Sequence, residues 1–440
     1  MTDLLDLSAR IIDTGVRDVA VNRTNQELSE VAEDVAVVES FSHCVVVRTD
    51  EGLVLFDASG AGTGAEVVDA VRRWSDEPVH TLVYTHGHLD HVGGSGAVLA
   101  DAARRGHPAP RVIAHENVPG RLSRYRGTAG YNMLINMRQF GWLMDPGRTG
   151  GTGSDELRPS FDAAPREFVP SDVALPDTLV GDALDLSVGG LDIGFRHARG
   201  ETDDHLWSWL PGKRAVSTGD LLIWNFPNAG NPQKVQRYPD EWATALRAIV
   251  AEEPELLLPA HGLPIGGRDR IAAVLGETAD VLDALVAQTL ELMNAGAPLD
   301  TVLHTVSVPE VTLAKPFLQP LYDEPEFVVR NIWRLYGGWY DGNPARLKPA
   351  ADAAVAAEVA GLAGGAAVLV ERAEESVAAG DLRLARQLVE WAAGAAPDDA
   401  GVQRARASVY ATCSEAEGSL MARGIFAFES TVSAGRGTGA

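Results

Sequence analysis

The stretch Thr85-His86-Gly87-His88-Leu89-Asp90-His91 is the part of this sequence that most constrains its fold and chemistry. It places three histidines and an aspartate within six residues, directly after the apolar run at 79–84. Imidazole and carboxylate groups are natural ligands of zinc and similar metals. A tight loop can turn His86 and His88 toward one ion, and Asp90 and His91 toward a second. The stretch therefore predicts a metal site at the end of a buried strand.

The segments around this stretch predict a layered α/β domain. Short apolar runs separated by turns at 35–57 indicate consecutive strands, and the apolar spacing at 60–74 indicates a helix. Strand signals return over 184–218 and at 255–259, and this alternation is typical of α/β layers. The segment at about 115–172 is rich in Gly, Arg and Pro, so we expect an insertion over one face, flexible at 147–153.

The remainder of the chain, from residue 269 onward, has a helical pattern. Apolar residues recur there with a period near 3.6, and the last hundred residues are rich in alanine. Three short helices are predicted to end at Gly380, Gly394 and Gly418, because a helix C-cap favours a residue with positive φ.

Length, composition and charge exclude several classes of protein. The 440 residues predict two to four domains, and a hydrophobic fraction of 45% is enough for ordinary buried cores. The net charge of −24 argues against nucleic acid as a partner. Cys44 and Cys413 form no disulfide framework, no run of about 18 apolar residues predicts a membrane span, and the start predicts no signal peptide. These features together predict a cytoplasmic protein without a membrane partner.

The pattern His-x-His-x-Asp-His at 86–91, placed between a strand and a helix, resembles the metallo-β-lactamase superfamily. The resemblance implies an αββα sandwich and three further ligands. Glu201 stands where most members have a histidine, an exchange that is similar to the one in alkylsulfatases. Asp220, after Thr218 and Gly219, corresponds to the bridging carboxylate, although alkylsulfatases usually have Glu there, and His261 corresponds to the last histidine.

Other residues near Glu201 leave alternatives open. His197 or His205 could be the ligand in place of Glu201. Asp203 or Asp204 could supply the carboxylate.

A second segment also resembles alkylsulfatases. Residues 336–347, with the sequence YGGWYDGNPARL, are similar to the stretch that leads into the alkylsulfatase dimerisation domain, and 360–366, 379–381 and 396–398 look like that domain. The resemblance implies a metallo-β-lactamase-like catalytic domain at 1–325 and a small all-α dimerisation domain at 326–440, hence a homodimer. Fuller members continue into a sterol-carrier-like domain, which we expect to be lacking here.

The resemblance implies a binuclear zinc hydrolase that cleaves sulfate esters with a metal-bound hydroxide. His86, His88 and Glu201 would hold one Zn²⁺ of the two per chain. Asp90, His91 and His261 would hold the other, with Asp220 as the bridge. Asp90 and Asp220 are the expected catalytic residues.

An anionic ester also needs local positive charge in so acidic a protein. The family has a segment bearing Asn and Arg in the predicted insertion, so Asn136 and Arg138, together with Tyr131, are the expected substrate-binding residues.

Other functions compete with this one. The alternative closest to it is a hydrolase of the same fold that acts on another ester, a lactone or a phosphate. A nuclease is disfavoured by the charge of −24. A non-catalytic dimeric scaffold is disfavoured because such a protein has no need to keep all seven ligands.

Overall fold

The computed structural model of the chain describes residues 3–140 and 167–437, so the predicted flexible segment at 147–153 lies outside the described residues. These residues form two compact units. The first contains 3–133, 167–296 and 301–338, and the second contains 134–140, 297–300 and 339–437. The predicted boundary at 325/326 differs from this division. The helix Pro325–Gly337 buries Val328 and Ile332 and packs on the helix Arg268–Asn294, which places it in the first unit.

The first sheet of unit one has seven strands, which lie side by side in chain order. Strands β1 to β4 are antiparallel neighbours, and β4 to β7 are parallel. Every residue of β4 is buried, as expected for a strand covered on both faces. The strands are β1 (Leu28–Ala32), β2 (Val35–Val38), β3 (Cys44–Thr49), β4 (Gly52–Phe56), β5 (Val79–Val83), β6 (Arg111–His115) and β7 (Thr178–Val180).

The second sheet has six strands in the order β13-β12-β11-β10-β9-β8. Its neighbours are antiparallel except for the parallel pair of β11 and β12. The strands are β8 (Ala183–Val188), β9 (Leu191–Ala198), β10 (His205–Leu210), β11 (Ala215–Gly219), β12 (Leu256–Pro259) and β13 (Ile265–Gly266).

Eleven α-helices accompany these sheets in the described part of the chain up to residue 338. They are α1 (Leu4–Thr14), α2 (Gly64–Trp74), α3 (Leu89–Val92), α4 (Ser95–Arg105), α5 (Val118–Gly127), α6 (Ala129–Phe140), α7 (Pro239–Ala251), α8 (Arg268–Asn294), α9 (Leu299–Thr305), α10 (Glu310–Leu313) and α11 (Pro325–Gly337).

The core of the first unit lies between the two sheets. Val54 and Phe56 of the first sheet pack there with Phe195 and Leu206 of the second. The other face of the first sheet packs on α2 and α4, and α7 and α8 contact the second sheet at β9 and β12. This layering confirms the αββα sandwich. It also brings the carboxyl ends of β5 and β11 to one edge of the sandwich, where β5 continues into the loop 85–91.

The second unit is helical, as predicted. Helices α13 and α14 pack against each other through Ala373, Ala385 and Val389. The small alanine side chains let the backbones approach closely. The helices of this unit beyond residue 338 are α12 (Asp352–Ala363), α13 (Ala366–Ala378), α14 (Leu382–Ala395), α15 (Ala400–Ala416) and α16 (Leu420–Gly437).

The glycines predicted to end three helices behave differently from one another. Gly380 has φ +80° after α13, as predicted, but Gly418 has no positive φ. Gly394 lies inside α14, so the predicted helix end there is wrong. A Cβ atom on Gly394 would lie 2.8 Å from Cβ of Ala356, so this glycine serves the close packing of α14 on α12.

Within the described chain, no single helix combines the length and apolar character needed to span a membrane, although α12 and α13 together, bent by 86°, meet that test by length and composition.

Candidate metal centre

The loop 85–91 joins β5 to α3 at the edge of the sandwich. The side chains of His86 and His91 are fully buried, whereas those of His88 and Asp90 are 18% and 32% exposed. The loop therefore places two imidazoles inside the protein and leaves an opening to solvent at His88 and Asp90. Gly87, between His86 and His88, leaves no room for a side chain. A Cβ atom there would lie 2.9 Å from Cδ of Arg121 and from a carboxylate oxygen of Asp204.

Side chains from distant parts of the sequence converge on this loop in two groups. In each group the potential ligand atoms all lie within 4.8 Å of one another. Together the groups contain all seven of the metal ligands predicted from the sequence. The first group is His86, His88, Glu201 and Asp220, and the second group is Asp90, His91 and His261.

Asp220 lies between the two groups. Its Oδ2 is 3.8 Å from Nε2 of His86, and its Oδ1 is 3.4 Å from Nε2 of His91 and 3.5 Å from Nε2 of His261. The two oxygens of one carboxylate thus face different groups, which is the arrangement that a bridging ligand requires. The second group is compact, since Oδ2 of Asp90 is 3.4 Å from Nε2 of His91 and 3.4 Å from Nε2 of His261.

The position of Asp220 depends on the glycine before it. Gly219 ends β11 with φ +51°, and a Cβ atom there would lie 2.7 Å from Nε2 of His205 and 2.8 Å from Cβ of Thr85. Only glycine fits this conformation and this space without displacing its neighbours. The turn then directs the Asp220 carboxylate toward the histidines.

The electrostatics of the first group favour neutral imidazoles. Burial, aided by the proximity of His91 and His88, lowers the pKa of His86 well below its usual range. Burial, aided by Arg237 and Arg121, does the same to the pKa of His88. A neutral imidazole has the nitrogen lone pair that a metal ligand needs.

Carboxylates concentrate negative charge around the second group. Burial alone would lower the pKa of His91, but Asp220, Asp90 and Asp57 raise it well above the usual value. Burial also raises the pKa of Glu201 to about 8, although Arg237 opposes the shift. These directions indicate that the pocket favours added positive charge.

Two buried polar atoms also fit the metal assignment. Nε2 of His91 and Oδ1 of Asp220 face each other at 3.4 Å, and neither has a hydrogen-bond partner among the described residues. A buried polar atom without a partner costs about 1–3 kcal/mol. A divalent cation between them would satisfy both, so the residues fit a metal centre.

Asp57 supports this centre and was missed by the sequence analysis. Its Oδ2 is 2.8 Å from Nδ1 of His91, and it accepts a hydrogen bond from the Oγ1 of Thr85 at 2.7 Å. A carboxylate behind a ligating imidazole fixes its tautomer and orientation. The available signal was the place of Asp57 directly after β4, beside β5, where parallel strands bring their carboxyl ends together.

Glu201 also has support that the sequence analysis missed. Nη1 of Arg237 lies 2.7 Å from Oε1 of Glu201, and the side-chain amide of Asn228 donates to the same oxygen. Neither Asn228 nor Arg237 belongs to a recognisable sequence motif. Both lie in the loop between β11 and α7, at no regular spacing from Glu201.

The alternative ligands near Glu201 have other partners. Nε2 of His205 lies 3.0 Å from the Thr218 carbonyl oxygen, and Nε2 of His197 lies 3.2 Å from the Asp203 carbonyl oxygen. The carboxylates of Asp203 and Asp204 both pair with Arg121. None of the four belongs to the two groups of converging ligands.

The predicted substrate-binding residues all lie on α6, but in different units. Tyr131, in the first unit, is 58% exposed. Asn136 and Arg138 belong to the second unit, where the guanidinium of Arg138 lies 5.7 Å from the ring centre of Phe428. The role of these three residues stays a prediction.

Comparison with known proteins adds family information. Residues 37–261 match the family described as the metallo-beta-lactamase superfamily, and residues 299–434 match the family described as alkyl sulfatase dimerisation. The chain is 27% identical over 369 residues to a linear primary-alkylsulfatase from a Pseudomonas strain, covering 80% of this chain and 67% of that protein. It is 25% identical over 339 residues to the alkyl/aryl-sulfatase BDS1 of Saccharomyces cerevisiae, covering 74% of this chain and 51% of that one.

A solved structure shares the fold. The stereoselective inverting sec-alkylsulfatase Pisa1 from Pseudomonas superposes with a TM-score of 0.81 at 22% identity, over 94% of this chain and 66% of that one. The chain thus spans about half to two thirds of the length of these relatives.

Proposed function

Because the chain belongs to the metallo-beta-lactamase superfamily and its C-terminal part matches the alkyl sulfatase dimerisation family, we propose that it is a binuclear zinc hydrolase of sulfate esters. The observation that carries the proposal is the convergence of seven ligand side chains in two groups joined by Asp220. The relatives named as alkylsulfatases support sulfate esters as the substrate class.

In this proposal each group of side chains would hold one Zn²⁺. His86, His88 and Glu201 would hold the first ion and Asp90, His91 and His261 the second, with Asp220 placed to reach both. Such a pair of ions would lower the pKa of a bound water and supply positive charge to a leaving oxygen.

The protein's own side chains prepare the site for an ester. Asp57 holds the His91 ring so that Nε2 faces the cluster. Asp90 is the partly exposed carboxylate at the opening, so it is placed to accept a proton from an attacking water. Asp220, 6% exposed at its side chain, is shielded from solvent and keeps its place between the two groups.

An anionic ester also needs a cation near the cluster. Lys234 is partly exposed, and the negative charges of Asp90 and Glu201 favour its protonated form. Burial and Arg237 lower the pKa of Lys234 to about 8, while Asp90 and Glu201 oppose the shift. We assign Lys234 to recognition of the negatively charged part of the substrate.

The second unit is proposed to form a homodimer. Its match to the alkyl sulfatase dimerisation family supports a second copy of the chain as the partner. Apolar side chains stay exposed on its helices, with Leu362 81% exposed and Val355 40% exposed on α12. Light scattering should give twice the chain mass for the wild type, and Leu362→Glu should shift the mass toward the monomer. A cytoplasmic location stays a prediction.

The function is tested with purified, zinc-loaded protein. Elemental analysis should give about two zinc ions per chain, and incubation with dodecyl sulfate should release inorganic sulfate. Asp220→Asn should abolish sulfate release. Hydrolysis of a phosphate monoester or a lactone without any sulfate release would instead select the alternative hydrolase, and absence of bound metal would refute the proposal.

A further inference from the structure

Arg237 makes an unusual double contact with Glu201. It is 2% exposed, and its Nη1 donates to the Glu201 backbone carbonyl at 2.5 Å while lying 2.7 Å from Oε1 of the same residue. One guanidinium nitrogen therefore holds both the backbone and the carboxylate of Glu201. This double contact restricts the side-chain torsion angles of Glu201.

Asn228 also holds the Glu201 carboxylate. Its side-chain amide donates to Oε1, the oxygen that also pairs with Arg237. Nδ1 of His88 lies 3.6 Å from the same oxygen. The carboxylate of Glu201 is thus fixed at the distance at which it faces the histidines of the first ligand group.

Arg237 is itself anchored from outside the metal cluster. Its backbone N–H donates to Oδ1 of Asn331 at 3.3 Å, and its carbonyl accepts from Nδ2 of Asn331 at 2.9 Å. Asn331 lies on α11 and is 3% exposed. Because both backbone hydrogen bonds go to one buried side chain on a helix, Arg237 has a rigid support.

We propose that Arg237 is a positioning residue, which holds the Glu201 carboxylate where it completes the metal site formed with His86 and His88. The proposal rests on the metal centre of the proposed function. A long glutamate side chain has three side-chain torsions, and a ligand that is free to rotate must lose that freedom when a cation binds. Arg237 removes this cost before binding, because its guanidinium already holds the Glu201 carboxylate in place.

The test compares Arg237→Gln with Arg72→Gln. Arg72 is a matched control, because its side chain is only 6% exposed and pairs with buried Asp101 at 2.7 Å, away from the seven ligands. Each zinc-loaded protein is dialysed against increasing chelator, and the metal remaining per chain is measured. For Arg237→Gln we expect the first ion to leave at a chelator activity about 10- to 100-fold lower than in the wild type. Arg72→Gln should lower the unfolding temperature and leave the chelator midpoint unchanged.

Further variants keep the test decisive. If Arg237→Gln does not fold, Arg237→Lys keeps the charge but lacks the planar guanidinium, and its midpoint should move in the same direction by a smaller factor. Adding Arg237→Gln to Glu201→Gln should change the midpoint little, because the two residues act together. An unchanged midpoint in the foldable Arg237 variant, or additive effects in the double variant, overturns the inference. Wild-type protein without bound zinc would instead refute the proposed function, so the two failures are distinguishable.

Discussion

Asp57 Oδ2 lies 2.8 Å from Nδ1 of His91, and the opposite nitrogen of that ring, Nε2, faces Asp90 and Asp220 at 3.4 Å. One carboxylate thus orients the imidazole from behind, while two others lie in front of it. Asp57 also has φ +61°, a conformation that aspartate and asparagine adopt more readily than other non-glycine residues. The backbone at the end of β4 therefore directs the Asp57 carboxylate toward His91.

Replacing Asp57 with asparagine should weaken the metal centre without unfolding the protein. Asn tolerates the same φ, but it loses the negative charge behind His91, so zinc affinity should fall about 10- to 100-fold. Chelator titration of the loaded protein measures the change. Asp34→Asn is the matched control, since Asp34 has φ +60° in an exposed turn and should leave zinc affinity unchanged. Equal zinc affinity in Asp57→Asn and wild type would contradict this role.

Replacing Gly219 with alanine should destabilise the protein and disturb Asp220. The new Cβ would need positive φ and would lie within 2.8 Å of Thr85 and His205 atoms, so we expect a loss of about 1–3 kcal/mol in the free energy of unfolding. Denaturant unfolding measures that loss, and elemental analysis should show less zinc bound. Gly181→Ala, which meets no atom within 4 Å, is the control and should be near neutral. A stable, fully loaded Gly219→Ala protein would contradict this close packing around Gly219.

Replacing Lys234 with alanine should impair binding of an anionic ester. Loss of one charge-assisted contact corresponds to a rise of about 10- to 100-fold in KM. The KM for an uncharged ester of similar size should change much less, and the bound zinc should stay constant. Lys213→Ala is the control, because Lys213 donates to the Glu33 carbonyl oxygen in an exposed position. Similar KM changes for charged and uncharged esters would remove Lys234 from substrate recognition.

Removing metal should lower the stability of the protein. Ligands that bind only the folded state add to its stability by mass action, which amounts to about 4 kcal/mol when free metal is 1,000 times the dissociation constant. Chelated protein should therefore unfold at a lower temperature than zinc-loaded protein. Asp220→Asn should shrink this difference, because Asp220 contacts both ligand groups. A thermal scan with and without chelator, run on both proteins, decides the matter.

Much of the sandwich and of the ligand set could be predicted from local patterns. The loop 85–91 carries four of the seven ligands, and the strands around it have apolar runs of the expected length. Gly394 shows the limit of local patterns. Gly394 was predicted to end a helix. It lies instead within α14, where this helix passes close to Ala356, a residue far away in the sequence.

The residues that support the ligands could not be predicted in the same way. Asp57, Asn228 and Arg237 are separated from their partners by up to 36 residues in the chain, and each is defined by which atom it meets. Burial determines their effect, since a charge in water has little influence on a neighbour, whereas a charge in the interior does.

The sequence by itself determined which chemical groups are available: histidines and carboxylates at fixed spacing after an apolar strand, a glycine before Asp220, and a helical C-terminal part. Only the tertiary structure decided which of the candidate carboxylates and imidazoles meet. Glu201 belongs to the first ligand group, whereas the other four candidates contact partners outside both groups. These four are His197, His205, Asp203 and Asp204. The physical reason is that ligand spacing along a chain is local, whereas convergence within a few ångströms requires strands from both sheets to end at one edge.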